Sequence, residues 1–288
     1  MLIKQHSSHN EYIRGGNLWI RDFTKQGIRP QSLDFLFEDS EYDVVLENEV
    51  ANKQYGKISK EEVNMSKVVI VSDGYNFNWK HLSISKFENV AVLAVNRAMK
   101  NWKLMLPSLT QEEQKPINAY VANNPYQECM RYLPPTETPY YPVCISSTRT
   151  NYMFLEKYLG DKFTYEPTPD TKFGSEKMEG YCIDDYRNPV CAAIGLAYQF
   201  GAQKIMLLSC DSSFVKERDF SVPLENGLWT YPQNIQSQEI IDANLYWLTH
   251  QENREVQIAD WSDGPKYVNA SYIKNEEEAV EFFAEEGN

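Results

Sequence analysis

The sequence predicts an α/β protein, a Rossmann-like, doubly wound, mostly parallel sheet preceded by an N-terminal extension. Three observations predict it. Val68-Val69-Ile70-Val71, Val90-Ala91-Val92-Leu93-Ala94-Val95 and Lys204-Ile205-Met206-Leu207-Leu208 are apolar runs of strand length, as strands covered on both faces require. Such runs alternate with helical patterns, and parallel neighbours need helical crossovers. Each run also stops abruptly at Ser, Asp, Asn or Arg, the residue types that end strands and begin helices.

The extension covers residues 1–66, where Asn17 to Phe23 alternates at period two and no βα rhythm develops. The main domain covers 67–288. Its first strand, Val68 to Val71, runs into Ser72-Asp73-Gly74-Tyr75-Asn76. The second ends at Asn96-Arg97 and feeds a helix through Met99 and Trp102 that stops before Pro107. Ala119-Tyr120-Val121-Ala122 leads to Asn123-Asn124-Pro125 and a helix over Tyr126 to Tyr132; Val143-Cys144-Ile145 leads to Ser146-Ser147-Thr148-Arg149 and a helix over Tyr152 to Leu159.

Residues 160–187, with Pro167, Pro169, Gly174 and Gly180, carry no sustained period and read as a long loop; 212–233 reads as a second. Between them, Asn188-Pro189 supplies an N-cap and a proline at the first helical position, Val190, Ile194 and Ala197 continue at helical spacing, and Gly201 closes the helix. The strand from Lys204 then ends in Cys210-Asp211-Ser212-Ser213. A helix through Ile240, Ile241, Leu245 and Leu248, a strand Val256 to Ala259 and a terminal helix Glu276 to Glu285 complete the domain.

Composition narrows the function. The chain has 288 residues, 42% of them hydrophobic, and no apolar run of the ~18 residues that a membrane span needs. The first residues show no secretory pattern, which leads to a cytoplasmic expectation. Five scattered cysteines without a C-x-x-C pair argue against a disulfide framework or a zinc knuckle. A net charge of -13 opposes unspecific binding to nucleic acid or anionic lipid, so a phosphorylated ligand would need local cations. Arg97, Arg149 and Arg187 fall at strand ends or helix starts and could supply them.

In an open α/β sheet, ligands bind beyond the carboxyl ends of the strands. There the sequence places Ser72, Asp73, Gly74, Asn76, Asn96, Arg97, Asp211 and Ser212, and at a helix start Asn188, as ligand-contacting candidates. Each admits a plainer reading as a helix cap or turn residue. Asp73 and Asp211, on strands expected to be adjacent, form a candidate Mg²⁺ site bridging phosphate oxygens. Neither a G-x-G-x-x-G fingerprint nor a Walker A lysine is present. His81 and His250 fall on predicted helices, in packing or exposed roles.

The runs Val68 to Gly74, Val95-Asn96-Arg97-Ala98 and Asn188 to Ala197, followed by Gly201 to Asp211, resemble the 6-hydroxymethylpterin diphosphokinase MptE-like proteins and the bacterial α-2,3-sialyltransferases related to them in fold. The resemblance spans about Lys67 to Asp260. It departs at Tyr75-Asn76-Phe77, where the family carries a glycine-proline-serine-leucine loop, and the sialyltransferase histidine has no counterpart. It implies that Gly74, Asn96, Asn188 and Asp211 contact ligand, that the candidates at this edge bind nucleotide, and that Asp211 has a catalytic role. It also implies a nucleotide-dependent transferase, moving diphosphate from ATP with Mg²⁺ or a glycosyl group from a nucleotide sugar to a small-molecule or glycan acceptor. The alternative is a non-catalytic binding protein that keeps the scaffold.

Overall fold

In the computed structural model, the described residues are 65–72, 74, 81–95, 97–105, 108–122, 142–147, 152–167, 182–183, 188–224, 227–250, 255–262, 264 and 266–284. The extension, apart from its last two residues, and the expected helix at 126–132 lie outside them. So do Asp73, Asn76, Asn96, Arg149 and Arg187.

The strands are β1 (Lys67–Val71), β2 (Ala91–Val95), β3 (Ala119–Ala122), β4 (Val143–Ser147), β5 (Lys162–Pro167), β6 (Cys182–Ile183), β7 (Lys204–Leu208), β8 (Val222–Pro223), β9 (Trp229–Thr230), β10 (Gln257–Trp261) and β11 (Ser271–Tyr272). The helices are α1 (Ala98–Met105), α2 (Tyr152–Lys157), α3 (Pro189–Gln199), α4 (Pro232–Thr249) and α5 (Glu276–Ala284). Nine strands form one sheet in the order β11-β10-β7-β1-β2-β3-β4-β5-β6, and every pairing in it is parallel. The predicted α/β fold is the observed one. β8 and β9 form a separate antiparallel pair.

Alternate residues of each central strand face opposite helical layers. Val68, Ile70, Leu93, Ile205 and Leu207 pack under α3 and α4, against Val190, Ile194, Ala197, Ile241, Leu245 and Leu248. Val69, Val71, Val92, Met206 and Leu208 face the other side, with Met99 and Trp102 of α1, Phe154 of α2 and Phe283 of α5. Apolar residues on both faces are why these strands read as unbroken hydrophobic runs. α5 runs antiparallel to the strands, and Lys67 and Lys204, at the start of β1 and β7, donate to its last carbonyls, Phe283 (2.6 Å) and Phe282 (2.7 Å). Cations there complement the helix dipole.

The stretch 160–187, expected as one loop, contains β5 and β6, which extend the sheet beyond β4. Lys162-Phe163-Thr164-Tyr165-Glu166-Pro167 alternates polar with apolar and ends in proline, a pattern that suits a strand near a sheet edge better than a doubly covered one. The 212–233 stretch holds the β8–β9 pair, and α4 begins at Pro232, earlier than its apolar positions suggest. His81 lies outside the regular helices, and His250 caps the end of α4.

Candidate functional site at the carboxyl edge

The chain order reverses between β1 and β7. From β1 the sheet grows through β2 to β6 on one side and through β7, β10 and β11 on the other. At such a switch point the crossovers leave in opposite directions and open a crevice over the strand ends.

Three strand ends meet there in register. Val71 pairs with Leu208, and Leu208 with Trp261. The next residue in each strand is a buried serine, Ser72, Ser209 or Ser262, and two residues further stand Gly74, Asp211 and Gly264. Asp211 lies between the two glycines. A β-carbon on Gly264 would fall on the Asp211 carboxylate, and one on Gly74 would meet both that carboxylate and the Ser209 carbonyl, the latter at 2.5 Å. Both glycines are therefore required by close approach. The Gly74 amide donates to the Ser209 carbonyl at 2.8 Å, and the Ser72 amide to the Leu208 carbonyl at 3.1 Å.

The loop carrying Asp211 is held from several sides. Ser209 (φ 52°) and Ser212 (φ 53°) are left-handed, a conformation that non-glycine residues adopt rarely and at some cost. The Ser213 hydroxyl donates to Asp211 Oδ2, and Gln238 of α4 donates to the Asp211 carbonyl. Thr230 and Asn234 both donate to the Ser212 carbonyl at 3.2 Å. Tyr267 Oη donates to the Cys210 carbonyl at 2.9 Å, and burial, above all, holds that phenol well above its ordinary pKa. This framework keeps Asp211 1% exposed.

A second acid, Asp260, is also 1% exposed and sits opposite Leu207 in the ladder. Neither of its carboxylate oxygens completes a hydrogen bond with a described residue at normal geometry, and nor does the Ser262 hydroxyl. Burial pushes its pKa up to about 6, with the Asp211 charge adding a smaller rise. The nearby Ser262 hydroxyl, Lys266 charge and Tyr267 amide oppose that rise without cancelling it.

Of the residues expected from sequence, Ser72, Gly74 and Asp211 converge. Asp73 lies outside the described residues, although Gly74 beside it touches Asp211. Ser212 is exposed at the edge of the same loop. Arg97 opens α1 beyond β2, and Asn188 caps α3, accepting from the amides of Val190 (2.9 Å) and Cys191 (3.4 Å). α3 packs over β1, β2 and β3 and leads directly into the parallel strand β7, so its start faces the same edge of the sheet. Among the described residues no three His, Cys, Asp or Glu side chains gather as a metal site.

Sequence reasoning placed Ser213 at this strand end without a role and missed Gly264, Asp260 and Tyr267. One signal was readable: Ser-Asp-Gly follows the strand at 72–74 and recurs at 262–264. A further element of the edge is a cleft of about 280 Å³ bounded by His81, Leu208, Ser209, Trp261, Lys274, Asn275 and Glu276, in which His81 stacks on Trp261 at 5.0 Å and 28°.

No family model matches the chain, and no curated protein matches it. Among solved structures, the fold is similar to that of the MAf glycosyltransferase from Magnetospirillum magneticum AMB-1, with a TM-score of 0.53 and 13% identity. The match covers 84% of this chain and 41% of that one, so the chain spans less than half the length of that protein. At this identity the likeness is one of fold.

Proposed function

We propose that this protein is a transferase that takes a glycosyl group from a nucleotide sugar. The observation that carries the reading is the Gly74–Asp211–Gly264 arrangement at the β1/β7 switch point, where an α/β sheet receives its ligand. The likeness in fold to a glycosyltransferase supports glycosyl transfer over the diphosphate transfer that an MptE-like resemblance also allows.

On this reading the nucleotide lies along the edge formed by Ser72, Asp73, Gly74, Asn76, Asn96, Arg97, Asn188 and Ser212. Its phosphate is drawn to Arg97 and the start of α3. The acceptor hydroxyl attacks the anomeric carbon, the bond to the donor phosphate breaks, and the nucleotide leaves with that bond's electrons. Asp211 takes or orients the hydroxyl proton. Mg²⁺ on Asp73 and Asp211 would add charge neutralisation at the phosphates. The described carboxylates do not form a cage for it, so no step is assigned to the ion.

The burial of Asp211 also favours a second reading, in which its carboxylate only ties three loops together on a non-catalytic binding scaffold. One experiment separates the two. Melting temperature is measured with CMP, CTP, UDP and ATP, with and without Mg²⁺, on the wild type and on Asp211→Asn. The expected result is stabilisation by at least one nucleotide and a loss of about 1.5 to 3 kcal/mol of nucleotide affinity in the variant, the scale of a charge-assisted hydrogen bond. Equal affinity in both proteins leaves Asp211 structural, and no stabilisation by any nucleotide ends the donor assignment.

A further inference from the structure

The cleft beside the Asp211 loop has a chemistry of its own. Its floor is Leu208 and Ser209, one wall is the His81–Trp261 stack, and the other is Lys274, Asn275 and Glu276 at the start of α5. Small-molecule pockets run from ~300 to 1,000 Å³. A volume of about 280 Å³ therefore suits a single ring.

Charge selects the kind of ring. The positive end of α5 would attract an anion, but Glu276, Glu277 and Glu278 fill its first turn, and Asn275 Oδ1 accepts from the Glu278 amide at 2.9 Å. Glu276 is ion-paired with Lys86, while the Lys274 amide donates to Glu278 at 2.8 Å. Lys274 and Glu276 thus both line the cleft, and a phosphate entering here would meet the Glu276 carboxylate. A neutral hydroxylated ring meets no such opposition. Its C–H face suits a flat aromatic wall, and its hydroxyls can both donate to Glu276 and exchange hydrogen bonds with an amide such as Asn275.

We infer that this cleft is a subsite for a sugar ring, separate from the position of the nucleotide phosphate. Ser209, two residues before Asp211, lies on its floor, which places the ring next to the reacting edge. Calling that ring the acceptor rests on the transferase reading, but its binding does not.

The test is saturation-transfer NMR on the full chain with glucose, galactose, mannose and N-acetylglucosamine at millimolar concentration, repeated on Trp261→Leu and His81→Leu. The expected result is transfer to the ring C–H protons of at least one sugar, weakened about tenfold in Trp261→Leu, which keeps an apolar side chain but removes the flat wall. His81→Leu serves the same purpose if the tryptophan variant does not fold. No transfer from any of these sugars, or transfer unchanged in the folded variants, overturns the inference. Nucleotide stabilisation without sugar binding overturns it alone, whereas sugar binding without nucleotide stabilisation leaves it standing and removes only the donor assignment.

Discussion

Asp260 shows how much one buried carboxyl can weigh at this edge. Its folded pKa is raised from 3.8 to about 6, so its contribution to stability is fully present below about pH 4 and is lost as pH rises through 6. At about 1.36 kcal/mol per pKa unit, the full effect is on the order of 3 kcal/mol. Asp260→Asn keeps the shape and removes the titration. Urea denaturation should therefore show the variant gaining on the wild type between about pH 4 and pH 7, and parallel curves across that window would mean that Asp260 does not titrate there. The glycines give a second expectation. Gly264→Ala and Gly74→Ala should each cost about 1 to 3 kcal/mol, as overpacked core positions do. Asp211→Gly should recover most of the loss at Gly264, where the three nearest atoms all belong to that side chain. It should recover little at Gly74, where the Ser209 carbonyl still stands at 2.5 Å. Equal recovery at both sites in a double-mutant cycle would contradict the packing described.

At the scale of elements, α3 offers a direct contrast between structural and ligand roles. Asn188 satisfies two amides at the helix start, so Asn188→Ala should lower stability by about 1 kcal/mol. Asn188→Asp retains the capping oxygen and should retain the stability, yet its charge should weaken nucleotide affinity if a phosphate sits at this helix start. Undiminished affinity in that variant would remove Asn188 from the proposed site. The same element explains what the sequence made legible. α3, β1, β2 and β7 are covered on both sides or capped by side chains local in sequence, so their signals lie within a few residues. β5 was hidden because its alternation is that of a half-covered strand, and the front of α4 because Pro232-Gln233-Asn234 carries no apolar stripe. The site was legible only in part for a different reason. Ser72, Gly74 and Asp211 could be named because each follows a readable strand, but the partnership with Gly264 and Asp260 exists only once β10 pairs beside β7. The repeated Ser-Asp-Gly hinted at it without saying which strand lay between the two copies.

At the scale of the whole molecule, the topology makes the two sides of the switch point depend on each other. β1 is flanked by β2, which follows it directly, and by β7, which starts at residue 204 where β1 starts at 67. Val68 to Val71 are each 0% exposed, and half of their hydrogen bonding and much of their covering come from the later strand and from α4 and α5. A chain cut after Gly201 would leave β1 as an edge strand covered by α3 on one face, without α5 on the other and with no partner on one side, the arrangement that invites aggregation. The fragment ending at Gly201 should therefore be insoluble or lack cooperative unfolding when made alone. Adding the complementary fragment from Ala202 should restore a single cooperative transition and native circular dichroism, because the break falls in the turn between α3 and β7 and removes no element. Because the pairing of β1 with β7 closes a loop spanning most of the domain, refolding of the intact chain should also be slow for its stability. A first fragment that folds alone, with a cooperative transition of its own, would show that β1 to α3 form an independent unit and that the carboxyl-edge site joins two separable bodies.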